Sequence, residues 1–458
     1  MKILHKIIIV FLVSTILFII QHSIFVGWDF SVYVSNARFL FDNGSYFEVY
    51  RPPLTPIILG LFSFFGWKIS EYVYIVLVSL LFMVSSVKLA KSLNLNPFYF
   101  YLFSANTFVL FNGLIEGSEL LALVLLELFI AYLIEDKPYS TIFLSLACLT
   151  RYPFVIFFPL LLFHKGIKNK IISALLFVVP FIPWFIYNKI HYGNILYSIT
   201  DSFALNIIYR DYIPHLINFN SILAVANILL PLFVLGIIYF IYNKDFSRKN
   251  FIFLTSVVLI LYSIFSLKAD VARYYLPLTL PIVFFSVYFL SKIQKKYSTI
   301  IIIIFIILTP LLFFSSFKDL ESYTPQEELY SINCSILSNV WAPLNYYGIA
   351  AGPSPDIRIL NHSIDSGYLI HLDYSAGEPD YTFNSTLLSQ YPIYSQTENY
   401  IILGNGCIDT LEPEHSYLRI LNEKLKIINN SSVSEDPCEI LFKGNSLCYF
   451  INNIFAFP

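Results

Sequence analysis

Charge is what this 458-residue sequence has least of: only 13% of it is Asp, Glu, Lys or Arg, against 57% hydrophobic residues. A globule of this length cannot cover its surface with so few charges, so a wholly water-soluble chain is excluded. The formal net charge of -2 supplies no basic field, which excludes nucleic acid as a partner. Cysteine is scarce too, at five, and its spacing fits no zinc ribbon or finger. No small-residue cleavage site follows the first apolar run, Ile7 to Ile20, so it is expected to remain as a membrane span rather than leave as a signal peptide. There is no internal repeat, and no low-complexity tract beyond an Ile-rich run near residue 300.

What is there is length of apolar chain. Runs able to cross a bilayer recur from Lys6 to Phe317 and then stop, and the composition from Lys318 onward is that of a water-soluble domain. The expected division is therefore a transmembrane domain over 1–317 and a small soluble α/β domain over 318–458. Spans are expected at 6–26, 71–91, 97–113, 118–134, 170–189, 221–243, 250–267, 274–291 and 298–317. Two segments are ambiguous. Pro52 to Trp67 is proline-rich and short for a span, and Tyr139 to Phe163 is broken by Thr150-Arg151-Tyr152-Pro153.

Positive charge decides between them, because Lys and Arg collect on the cytoplasmic side. With Pro52–Trp67 in the interface and 139–163 a hairpin of two short helices, Arg151 lies near the hairpin's apex. Fourteen basic residues then fall inside and seven outside. A single span at 139–163 would throw the last three basic clusters outside. The hairpin gives eleven crossings, a cytoplasmic N-terminus and an extracytoplasmic tail, in a plasma membrane or its equivalent. Sequons at Asn333, Asn361, Asn384, Asn429 and Asn430 fall in that tail, as do Cys334, Cys407, Cys438 and Cys448. Four cysteines there read as two disulfides, with three connectivities open.

The chemistry-bearing residues fall in the outer loops. Asp29 opens a helical pattern (Phe30, Tyr33, Val34, Ala37, Leu40, Phe41) that suits a helix lying flat on the membrane surface. Its plainest role is as that helix's N-cap. Glu116 and Glu119 lie in the next loop, where the plain reading is a solvated turn. Arg51, His191, Arg210, Lys268, Arg273 and Tyr274 lie on the same side, and cations at that boundary often only mark helix ends. Left where positive charge is otherwise depleted, they suit an anion held at the outer surface. Acids beside cations match glycosyl transfer from a lipid-linked phosphate sugar. A carboxylate takes the acceptor's proton, and cations stabilise the leaving phosphate.

Four stretches in order carry a resemblance: Trp28-Asp29-Phe-Ser-Val-Tyr33 with Tyr50-Arg51-Pro52-Pro53-Leu54; Leu149-Thr150-Arg151-Tyr-Pro153; Pro183-Trp184 to Gly193; and Ala272-Arg273-Tyr274-Tyr-Leu-Pro277. Across about residues 1–317 the chain resembles the GT-C superfamily of membrane glycosyltransferases, of the protein O-mannosyltransferase and aminoarabinose-transferase type. The resemblance implies a polyprenyl- or dolichyl-phosphate sugar donor, a protein, lipid or glycan acceptor, and Asp29 as the general base. Tyr33, Arg51, Glu116, Glu119, Arg151, His191, Arg210, Lys268, Arg273 and Tyr274 are then the substrate-binding candidates. Phe30 stands where many members carry a second acid, so no cofactor is assigned. A divalent cation would need Glu116 or Glu119 as its second carboxylate. No Trp-Trp-Asp signature appears, which disfavours transfer of a whole glycan to Asn. Two other classes remain: a transporter, which should carry paired broken helices at mid-membrane, and an inactive scaffold with a recognition ectodomain. In the tail, Thr324-Pro-Gln-Glu327 resembles a capping box. Arg358–Leu360, Tyr368–Leu372 and Tyr400–Leu403 are expected as strands, and Tyr417–Leu425 as a helix.

Overall fold

The computed structural model describes residues 3–205, 219–265, 271–317, 320, 323–355, 357, 360–376, 378–407, 414–416 and 419. Helix α1 (Ile3–Ile24) leads through Gly27 into α2 (Trp28–Asp42), strand β1 (Phe47–Glu48) and the short α3 (Leu54–Leu61). Then come α4 (Trp67–Ser92), α5 (Pro97–Ser104), α6 (Thr107–Asn112) and α7 (Glu119–Ile134). Helix α8 (Ser140–Thr150) is followed by a 3-10 helix over Tyr152–Phe163, and α9 (Gly166–Val178) continues into α10 (Ile182–Tyr192). Next are α11 (Tyr197–Phe203), α12 (Phe219–Ala226), α13 (Leu230–Asn243), α14 (Arg248–Phe265), α15 (Thr279–Leu290) with a 3-10 lead at Ala272–Leu278, and α16 (Lys295–Ser315).

Seven of these stretches are long and apolar enough to cross a membrane: 3–24, 67–92, 166–192, 220–243, 248–265, 272–290 and 295–315. The chain is a multi-pass membrane protein. The stretch carrying Arg273 is the central one, 72% buried along its apolar window, whereas α16 at 22% faces outward. Lipid is the natural solvent for the outward faces, where Ile303, Ile306, Ile307 and Leu311 of α16 are exposed. Residues 97–112 form two pieces, because Asn106 caps a new helix by accepting from the Val109 amide at 3.1 Å.

Contacts settle the hairpin. His164, after the 3-10 helix, lies 3.3 Å from Ser140 Oγ at the start of α8 and 3.3 Å from Asp136 at the end of α7. Both arms therefore begin and end at one face, and Arg151 sits at the turn. Lys88, Glu135, Lys165, Arg248 and Lys249 gather at that same face, where Lys249 Nζ reaches the Leu93 carbonyl at 3.2 Å. Eleven residues of α8 rise only about 16 Å against a bilayer core of about 30 Å, so the chain turns at Arg151 after about half that thickness. Pro153 and Pro159 explain why the return arm is 3-10, since each withholds an amide from the α pattern. In the interfacial stretch, Leu61, Phe64 and Phe65 are exposed, as suits residues lying against lipid.

Beyond α16 lies a five-stranded sheet, ordered β3-β2-β4-β6-β5: β2 (Ile336–Ser338), β3 (Ala351–Pro353), β4 (Leu369–Asp373), β5 (Ile393–Gln396) and β6 (Tyr400–Leu403). Helix α17 (Trp341–Tyr346) follows β2, and α18 (Leu360–Asp365) precedes β4. The strands β2, β3 and β4 are parallel, while β6 runs antiparallel to β4 and β5. The short β7 (Glu414–His415) returns to pair in parallel with β1. So β4 and β6 coincide with expected strands, whereas Leu360 starts a helix instead of ending a strand. The Thr324 capping box does not form: the turn at Glu327–Ser331 is a 3-10 helix with Gln326 at its head and no side-chain cap. Residues 417–425 lie outside the described residues except Arg419.

Cys334 and Cys407 form a disulfide across 73 residues, tying the chain before β2 to the chain after β6. Cys438 and Cys448, and the sequons Asn429 and Asn430, lie outside the described residues. Asn333, Asn361 and Asn384 are exposed, though Asn384 already caps a turn by accepting from the Leu387 amide. Opening so long a loop should cost the sheet roughly 2–4 kcal/mol. Cys334→Ser is therefore expected to make the tail sensitive to limited proteolysis under conditions where the wild-type tail stays intact.

Candidate active site

Helix α2 does not lie bare on a surface. Phe30, Tyr33, Val34 and Ala37 pack into the large helical core, while Val32 joins a second core with Trp341, Leu344 and Ile336 under the sheet. Trp28 meets Trp341 edge-on at 5.2 Å. The helix is thus clamped between membrane bundle and sheet, and the expected amphipathic pattern captured one of its two buried faces.

Asp29 is not the N-cap; Gly27 is, and it offers no side chain. The cap comes from the next loop, where Glu116 Oε2 accepts the Asp29 amide at 2.6 Å. An acid suits the positive end of a helix. Two glycines permit this approach. A Cβ on Gly27 would lie 2.7 Å from the Glu116 carboxylate and collide with the Ile115 carbonyl. Gly117, with φ +91°, would place a Cβ 2.8 Å from the Phe30 ring. Glu116 and Glu119 are therefore not in a solvated turn; this loop is packed against α2, and Glu119 is buried.

Three arginines from distant segments converge on these acids. Arg51 Nη2 donates to Asp29 Oδ1 at 2.8 Å, and its Nε donates to Glu48 at 2.7 Å. Arg273 Nη2 donates to Asp29 Oδ2 at 2.8 Å, its Nη1 to Glu116 at 3.0 Å, and its Nε lies 3.1 Å from Glu119. Arg151 pairs with Glu119. Tyr274 lies under both Arg151 (4.9 Å) and Arg273 (5.6 Å), and Tyr33 lies 5.6 Å from Arg51.

Glu48 is the member sequence reasoning missed. It is fully buried on β1, where the Asn36 side chain bridges its backbone N–H and C=O. The available signal was its three-residue spacing from Arg51. His191 does not join: it is exposed at the end of α10, its ring tilted against Tyr187 at 4.3 Å, because α10 ends at Gly193 beyond the cluster. Arg210 and Lys268 lie outside the described residues.

Burial raises the Asp29 carboxyl, but the charges of Arg51 and Arg273 overcome this and hold it well below the usual carboxylate range. Glu116 goes the other way. Burial first, then the charge of Asp29, push it up to about 7 against the opposing pull of Arg273. A divalent cation does not fit these residues, because Asp29, Glu116 and Glu119 all turn oxygens to Arg273. Among the described residues no group of three or more His, Cys, Asp and Glu is placed to hold a metal ion.

No protein-family model matches the sequence, and no curated protein does. Among solved structures the chain is similar to the crystal structure of ArnT from Cupriavidus metallidurans bound to undecaprenyl phosphate. The TM-score is 0.58 at 8% identity, covering 86% of this chain and 97% of that one. The chain has a GT-C-like fold, as the four stretches implied; at this identity the likeness speaks for fold alone.

Proposed function

We propose that this protein is an inverting glycosyltransferase that moves a sugar from a polyprenyl- or dolichyl-phosphate donor to an acceptor hydroxyl on the extracytoplasmic side. The observation that carries the reading is the convergence of Arg51, Arg151 and Arg273 on Asp29, Glu116 and Glu119, at the hairpin end opposite the basic face. Three guanidiniums from distant segments meet four carboxylates here, and their planar forks match phosphate oxygens. The ligand named for the ArnT structure is itself a lipid phosphate, which supports this choice of donor.

The chemistry follows from the pairing. With no donor bound, Asp29 is too strongly held by two arginines to be a good base. A donor phosphate takes over Arg51 and Arg273, and Asp29 is released to accept the acceptor's proton. The acceptor oxygen then bonds to the anomeric carbon from the face opposite the phosphate, and the bond from that carbon to the phosphate oxygen breaks. The electron pair leaves on the lipid phosphate, where the guanidiniums stabilise it. Orientation follows the basic clusters: cysteine labelling should find Lys88, Lys165 and Lys292 positions accessible from the cytoplasm and the Asn361 position from outside. Labelling of the Lys165 position from outside would reverse this.

Glu116 gives the donor site a pH dependence. A bound phosphate adds negative charge beside it and raises its pKa further above 7, so the complex holds a proton that the free protein loses. Donor affinity should be flat below about pH 7 and weaken above it, by up to about tenfold per unit, and Glu116→Gln should flatten the profile. Titration of the donor across pH 6 to 9 reads this directly.

An inactive scaffold is the second reading, and one observation favours it: each of the acids Asp29, Glu48, Glu116 and Glu119 already has an arginine. Reconstituted protein supplied with a series of polyprenyl-phosphate sugars decides between them. Release of polyprenyl phosphate above background supports the transferase, and none with any donor or acceptor supports the scaffold.

A further inference from the structure

A charged recess lies apart from the arginine cluster, between the end of α1, the start of α4 and helix α17 under the sheet. It has a volume of about 300 Å³ and is lined by His22, Arg38, Lys68, Glu71 and Tyr346, with Ile24 to Val26 along one side. The acid at its centre is held through one oxygen: Glu71 Oε2 lies 2.7 Å from His22 Nε2, 3.1 Å from Lys68 Nζ and 2.8 Å from the Tyr346 hydroxyl. Its lining holds one carboxylate and two permanent cations, so the lining is net positive even with His22 neutral, while Asp42 also acts on Arg38 from outside it. Arg38 donates through Nη1 to the carbonyls of Asn345 and Tyr346, while its buried Nε has no hydrogen-bond partner among the described residues. The Lys68 side chain is 55% exposed and has a third N–H beyond those given to Glu71 and Tyr346.

The surroundings are those of a membrane boundary. Two spans end here, α1 at Ile24 and α4 at Trp67, and Ile24, Phe65 and Ile69 are all exposed. A cationic recess with apolar flanks at this level suits an anionic headgroup whose chains remain in the leaflet. We propose that this recess is a second anion site, holding the phosphate of a membrane lipid against Lys68 and Arg38. Because Tyr346 and Asn345 belong to the sheet side, a lipid bound here touches both parts of the protein. The inference does not depend on the transferase reading, since none of its residues belongs to the cluster around Asp29.

The test is binding of dioctanoyl phosphatidic acid to the purified full-length protein, with dioctanoylglycerol and inorganic phosphate as separate probes. Wild-type protein should bind the phosphatidic acid, ignore the diacylglycerol, and bind inorganic phosphate at least tenfold more weakly. Lys68→Glu should weaken the phosphatidic acid by about tenfold or more, and Lys68→Gln by less, as expected when one charge-assisted contact is reversed or neutralised. Arg51→Gln, which cripples the other site, should leave this binding unchanged. Equal affinity in wild type and Lys68→Glu, or loss of binding only in Arg51→Gln, would overturn the proposal. Inorganic phosphate binding as tightly as the lipid would overturn the lipid as its source.

Discussion

Asp29→Asn is expected to lower sugar transfer by roughly 10²–10⁴-fold while leaving the protein folded and able to take up its donor. Asparagine keeps the shape of the side chain but cannot accept a proton from a hydroxyl. The structural cost is bounded by the neighbours. Arg51 retains Glu48 and Arg273 retains Glu116 and Glu119, so neither guanidinium is left buried without a counter-charge. The helix start is not disturbed either, because its cap is Glu116 rather than the Asp29 side chain. A loss of about 1–3 kcal/mol, from weakened charged hydrogen bonds, is the expected limit. Wild-type turnover in Asp29→Asn, with a donor and acceptor known to work, would remove Asp29 as the base.

Arg273→Gln should be the more damaging change, because that guanidinium touches three acids at once. Asp29 keeps Arg51 and Glu119 keeps Arg151, but Glu116 loses its only cation among its described ion pairs. The cost should be about 1–3 kcal/mol, because Glu116, already pushed up to about 7, takes a proton once Arg273 is gone. Transfer should fall by roughly 10²–10³-fold, since a donor to the leaving phosphate is gone as well. Stability and transfer can be separated. Adding Glu116→Gln removes the stranded acid and should restore much of the thermal stability but none of the transfer. Arg273→Lys should recover part of both, because the charge returns without the planar fork. If the double variant regained activity along with stability, Arg273 would be only a structural counter-ion.

The hairpin around Arg151 was legible in the sequence because charge placement is a global constraint, and a single span would have misplaced three later clusters. Asp29, Arg51 and Arg273 could be assigned to one side of the membrane on the same ground. What could not be read was who touches whom. Glu116 meets the Asp29 amide across 87 positions and Arg273 meets Asp29 across 244, contacts set by packing of spans rather than local pattern. Gly27 and Gly117 carry part of that information, yet a glycine in a loop does not announce what it lets approach. The burial of α2 on both sides was hidden because its second partner, the sheet, lies some 300 residues away. Strands β2 and β3 are three residues each, too short to show alternation.

The central claim is that the arginine cluster receives a lipid phosphate. A cryo-EM map of the protein with bound polyprenyl phosphate tests it most directly. The account predicts phosphate density within hydrogen-bond distance of Arg51 and Arg273, with Asp29 turned away from both. Polyprenyl phosphate density elsewhere, as in the recess beside Lys68, with Asp29 still paired to Arg51 and Arg273, would contradict it.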